Sequence, residues 1–181
     1  MDIYTIGHST HSKEAFLKML QQAEIEVLAD VRALPGSRKF PQFNQTDFKV
    51  WLAEEHIHYE HFPLLGGRRN KSQIIQEELN NEWNNPSFHN YADYTLTADF
   101  QGGIKHLKKI ASKKKTAICC SERHPARCHR LLISNWLTAH DWNVYHIIDQ
   151  SKKTIISPHE LGEWGAMPIL EDDGTVVYPN V

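Results

Sequence analysis

Thr116-Ala117-Ile118-Cys119-Cys120-Ser121-Glu122-Arg123-His124-Pro125-Ala126-Arg127-Cys128-His129-Arg130 reads as an apolar β-run that breaks at a polar turn and passes into an amphipathic helix. In an open α/β sheet this is the junction at which ligands bind. The window holds all three cysteines of the chain, together with an acid, two histidines and three arginines. Pro125 suits the first helical position because it lacks an N–H. From there Cys128, Leu131, Leu132, Trp136 and Ala139 fall on one face, and Arg127 and Arg130 share another. A helix N-terminus flanked by guanidinium groups suits phosphate, sulfate or carboxylate.

Outward from this junction, the pattern is strand–helix–strand–helix–strand. Ile3–Ile6 reads as a first strand, and Ser12 as the N-cap of a helix with Phe16, Leu17 and Leu20 in its stripe. Residues 27–31 form a second strand, Phe48, Trp51 and Leu52 mark a second helix, and residues 58–62 form a third strand ended by Pro63. A polar, loop-rich insertion follows from Leu64 to about Pro86, with a short helix expected over 73–79. Further helices are expected over 88–96 and around Phe100, Ile104, Leu107 and Ile110. Residues 116–120 are the fourth strand and 144–148 the fifth. Asp172-Asp173-Gly174 between two apolar pairs predicts a terminal hairpin. The expected fold is α/β: a single three-layer domain over 1–181, with a mostly parallel sheet of about five strands and helices on both faces. Residues 1–150 form its core and 151–181 an extension.

Composition narrows the class. At 181 residues, 40% hydrophobic and 23% charged, the chain has ordinary globular values. A net charge of −2 argues against a generally basic nucleic-acid binder, though a local basic groove remains open. There is no apolar run of membrane-span length and no charged leader ahead of an apolar core. Three clustered cysteines make a poor secreted disulfide framework, so a reducing, cytoplasmic setting is expected. Oligomeric state stays open.

Alternation along the fourth strand sends Cys119 and Cys120 to opposite faces. Cys119 reads as core, while Cys120 reaches the strand's C-terminal edge. Cys120 or Cys128 beside arginines and a helix N-terminus is a candidate nucleophile, with Glu122 or His129 as proton carrier. The spacing from Cys120 reaches Ala126 where the protein tyrosine phosphatase loop needs arginine. Cys-x-x-Cys, Walker and Rossmann patterns are absent. Cys120, Cys128, His129 and His124 are suitable zinc ligands by type, but their spacing matches no common finger or ribbon. No metal or cofactor is therefore assigned. The other strand ends add Gly7-His8-Ser9, and Asp30-Val31-Arg32 followed by Ser37-Arg38. His8, Ser9, Arg32, Ser37, Arg38 and Arg130 are the candidate substrate-binding residues.

Taken together, Thr5-Ile6-Gly7-His8-Ser9, Asp30-Val31-Arg32 with Pro35 and Ser37-Arg38, Leu65-Gly66-Gly67, and Cys120-Ser121-Glu122 with Cys128-His129-Arg130 resemble the domain of unknown function 488 family. The resemblance implies a compact α/β domain of prokaryotic, cytoplasmic proteins and leaves the reaction open. The leading expectation is a cysteine-dependent hydrolase or transferase acting on a small phosphate- or nucleotide-like anion. The alternatives are a non-catalytic nucleotide or nucleic-acid binding module, and a metal or thiol redox site.

Overall fold

A computed structural model describes residues 1–36 and 38–181. The main elements are β1 (Asp2–Gly7), α1 (Lys13–Gln22), β2 (Val27–Asp30), α2 (Gln45–Glu54), β3 (His58–His61), α3 (Pro86–Tyr94) and α4 (Ala98–Ala111). They continue with β4 (Thr116–Cys120), α5 (Arg130–Ala139), β5 (Asn143–Gln150), β6 (Lys153–Pro158), β7 (Ile169–Leu170) and β8 (Val176–Val177). Among the described residues, β1–β6 form one sheet in the order β3-β2-β4-β1-β5-β6. The first five in that order run parallel, and β6 is antiparallel to β5. β7 and β8 pair as the expected antiparallel hairpin.

The sheet separates two apolar layers. On one side Phe16, Met19 and Leu20 of α1 pack with Phe48, Trp51 and Leu52 of α2 against Leu28, Ala117 and Cys119. On the other, Tyr91 of α3, Phe100, Ile104 and Leu107 of α4, and Leu131, Leu132 and Trp136 of α5 cover Ile3, Ile118 and Cys120. Ser12 caps α1 by accepting from the Ala15 N–H at 3.1 Å. β4 lies inside the sheet and is buried at every position, which is why its sequence is apolar from Ala117 to Cys120.

The structure differs from expectation in three elements. Pro125 opens a single 3-10 turn, Pro125–Arg127, and α5 starts only at Arg130. Cys128 therefore precedes the helix in extended backbone, and Arg127 and Arg130 do not share a helical side. The insertion forms a 3-10 turn at Glu77–Asn80 in place of the longer helix. β6 is an added strand. Among the described residues, no helix is long and apolar enough to cross a membrane.

Candidate functional site

Sheet register brings the candidate residues together. β4 lies between β1 and β2, with Cys120 paired to Gly7 and Cys119 to Asp30. The ladder continues past the strand ends: His8 N–H donates to Cys120 O at 2.9 Å, Ser9 N–H to Ser121 O at 3.0 Å, and Val31 N–H to Cys119 O at 2.9 Å. Gly7 allows the closest approach. A Cβ there would lie 1.8 Å from Glu122 O and 3.0 Å from Arg130 Nη2.

The Cys120 and Cys128 sulfurs are 2.9 Å apart, and both are free thiols. Arg130, buried at the start of α5, donates from Nε to Cys120 Sγ at 3.0 Å and to Cys128 Sγ at 3.4 Å. Its Nη1 donates to Thr5 Oγ1 and its Nη2 to Glu122 O. No carboxylate is among these partners. A guanidinium stays charged in a protein, and a buried charge needs a counter-charge. The thiols supply it. Burial opposes ionisation of Cys128, but the hydrogen bond from Cys120 and the Arg130 charge hold its thiol well below the usual range. Burial and the Cys128 hydrogen bond push Cys120 well above that range. Within the pair, ionisation is therefore favoured at half-buried Cys128 and opposed at Cys120. Cys119 lies in the opposite layer, and burial pushes it up to about 12.

A second polar cluster sits at the end of β2. Arg32 grips buried Asp30 in a bidentate pair, Nε to Oδ1 at 2.9 Å and Nη2 to Oδ2 at 2.7 Å. Arg32 also donates to Phe43 O at 2.7 Å and to His8 Nε2 at 3.3 Å, and Tyr59 OH donates to Asp30 Oδ2 at 2.5 Å. His8 Nδ1 donates to Ser9 O, and its ring stacks on Phe43 at 4.4 Å. Burial, with the Arg32 charge, lowers His8 to about 4, so the imidazole is neutral. The Arg32 guanidinium is largely engaged by the protein itself.

Members of both clusters line one cleft of about 700 Å3. His8, Ser9, Arg32, Cys120, Glu122, Cys128 and His129 all border it. Arg130 lies directly behind the thiols. Arg38 is exposed and is not among the lining residues, and Ser37 lies outside the described residues. His129 donates from Nε2 to Val31 O at 2.7 Å, leaving Nδ1 as the acceptor nitrogen. Burial lowers its pKa and keeps it neutral. A Cβ at Gly67 would lie 2.8 Å from that Nδ1, so glycine there makes room for the ring.

Two exposed cleft arginines are absent from the candidate substrate-binding residues: Arg68, which sequence reasoning missed, and Arg127, which it placed at the junction without a binding role of its own. Arg69 and Arg123 also line the cleft, against Glu122 as the acid among the described lining residues. Arg123 is paired with Asp149 and Arg69 with the Gly66 and Pro63 carbonyls. Leu34, Phe40 and Phe88 add an apolar wall.

The family model described as Domain of unknown function DUF488 matches residues 12–137, well over half of the 181 residues. The chain belongs to the DUF488 family. No curated protein and no solved structure matches it. In this DUF488 chain the match takes in Arg32, Cys120, Cys128 and Arg130, while His8 precedes it and β5, β6 and the hairpin follow it. The zinc alternative gains no support from the DUF488 site: among the described residues, no group of three or more His, Cys, Asp or Glu is arranged to hold a metal ion.

Proposed function

We propose that the cleft is the active site of a cysteine-dependent hydrolase or transferase for a small anionic, phosphate- or nucleotide-like substrate. Cys128 is the nucleophile. Arg130 holds its thiolate, and exposed Arg68 and Arg127 orient the substrate's negative group. His129 Nδ1 or Glu122 carries the proton, and His8, Ser9 and Arg32 shape the floor. The apolar wall of Leu34, Phe40 and Phe88 suits a ring attached to the anion. One observation carries the reading: a buried guanidinium whose side-chain partners are two thiols and a hydroxyl requires a thiolate.

Site-resolved alkylation against pH tests it. Mass mapping of the modified peptides is expected to show Cys128 reacting well below the ~8.5 of a free thiol, with Cys120 and Cys119 unreactive. Ordinary titration of Cys128 near ~8.5 would remove the activated nucleophile and the proposal with it.

A further inference from the structure

A nucleophile for hydrolysis or transfer needs one sulfur, and this site has two. Cys120 Sγ lies 2.9 Å from Cys128 Sγ, and both residues line the cleft. Its hydrogen bond helps to hold the Cys128 thiolate. The same position places Cys120 to attack the Cys128 sulfur once that sulfur has become electrophilic.

We propose that Cys128 and Cys120 together reduce hydroperoxides, Cys128 as the attacking sulfur and Cys120 as the resolving one. The proposal rests on the Cys128 nucleophile of the preceding reading and adds a redox step to it. Cys128 attacks the peroxide; an S–O bond forms, the O–O bond breaks, and the departing alkoxide or hydroxide takes a proton from solvent. Cys120 then gives up its proton and attacks the Cys128 sulfenic acid. The S–S bond forms, the S–O bond breaks, and water leaves with that proton. In sum, one thiolate, one thiol, one hydroperoxide and one proton give a disulfide, an alcohol (water for hydrogen peroxide) and water. Two electrons pass from the sulfurs to the peroxide, and an external dithiol restores the pair by exchange.

Three features support the cycle. Cys128 lines the cleft and is half-buried, so a small oxidant reaches it. It lies in extended backbone between a 3-10 turn and α5, where the short movement to a bond length of about 2.05 Å does not disturb a regular element. Oxidation also removes the counter-charge of buried Arg130, which disfavours the disulfide and keeps it reducible, as a catalytic rather than structural bridge must be.

The test treats the reduced full chain with one equivalent of hydrogen peroxide and reads intact mass and peptide map. The expected wild-type product has lost two hydrogens, carries a Cys120–Cys128 bridge, and has consumed peroxide one for one. Cys120→Ser is expected to gain one oxygen at Cys128, trapped by dimedone. With dithiothreitol in excess, wild type is expected to consume peroxide continuously, and Cys128→Ser to lose that consumption. Oxidation of Cys128 to sulfinic acid in wild type with Cys120 still a free thiol would overturn the proposal, as would consumption no faster than that of free cysteine. The wild-type bridge decides even if a variant does not fold. An activated Cys128 without the bridge sinks this step alone; a Cys128 that alkylates like a free thiol sinks both readings.

Discussion

His146 Nε2 and His159 Nδ1 lie 2.9 Å apart and tie β5 to the residue just beyond β6. The pair belongs to a longer buried chain. Arg130 Nη1 donates to Thr5 Oγ1, which is 2.6 Å from His146 Nδ1, and His159 Nε2 is 2.7 Å from Asn135 Oδ1. Asn135 Oδ1 only accepts, so one proton arrangement satisfies the chain: His159 Nε2–H to Asn135, His146 Nε2–H to His159 Nδ1, and Thr5 O–H to His146 Nδ1, with Arg130 donating to the Thr5 oxygen. Trp164 packs beside both imidazoles. The segment after residue 150 thus reaches the back of the thiol site.

His159→Ala leaves the His146 N–H without its acceptor in a buried setting. A loss of about 1–3 kcal/mol in urea unfolding is the expected cost. Because the chain ends at Arg130, site-resolved alkylation of Cys128 in this variant is also expected to slow. A stability loss near zero would show that the histidine pair carries no weight.

Arg130→Lys keeps the charge and discards the fork. An ammonium cannot reach Cys120, Thr5 and Glu122 O together in the geometry that Nε, Nη1 and Nη2 provide. The Cys128 alkylation profile is expected to move to higher pH, and stability to fall by about 2–4 kcal/mol. An unchanged profile would mean that the helix terminus, not the guanidinium, holds the thiolate.

Gly7→Ala places a methyl 1.8 Å from Glu122 O, a contact no rotamer relieves because both partners are backbone. The turn after β4 must shift, and Arg130 loses its Glu122 acceptor. Destabilisation of about 3 kcal/mol or more is expected in denaturant unfolding.

What the sequence reveals, and what it hides, follows from the range of each signal. β4 and the expected Ser12 cap were legible because burial on both faces leaves an apolar run and capping is local. Rim convergence followed from the parallel pattern, which makes neighbours of Gly7, Asp30 and Cys120. β6 was not legible. Its hairpin turns at Ser151 and Lys152, both at positive φ, where a two-residue loop ordinarily carries Asn or Gly. Missing β6 hid the His146–His159 pair as well. Arg130 was recognised as a site arginine, yet its inward direction depends on where α5 begins, and a proline-led 3-10 turn delays that start by several residues. The engagement of Arg32 by Asp30 and Phe43 O is a contact pattern that spacing alone does not reveal.

Asp30→Asn tests whether Arg32 is held as a structural arm. The substitution removes the carboxylate from a fully buried bidentate pair that Tyr59 also satisfies, leaving an unpaired guanidinium. A cost of about 3–5 kcal/mol is expected. In a double-mutant cycle with Arg32→Met, the two costs are expected to be strongly non-additive, since removing both charges relieves the desolvation that removing one exposes. Additive costs would free Arg32 for direct substrate contact.

Stability is expected to fall as pH drops below about 6.5, before ordinary carboxylates begin to titrate near ~4. Burial holds His8 and His159 at about 4, and burial with the neighbouring His159 holds His146 at about 2, all from an unfolded value of 6.5. Between those values the unfolded chain binds protons that the folded chain excludes. The contribution is therefore complete above 6.5 and is lost progressively as pH falls toward the folded values. Urea midpoints measured from pH 7.5 to 5 are expected to decline through this window. His159→Gln, which keeps an amide to hydrogen-bond but cannot titrate, is expected to make the slope shallower. A wild-type midpoint that stays level from 6.5 to 5 would show that these imidazoles accept protons in the fold, and that the single-direction hydrogen-bond chain from Arg130 to Asn135 is not the arrangement present.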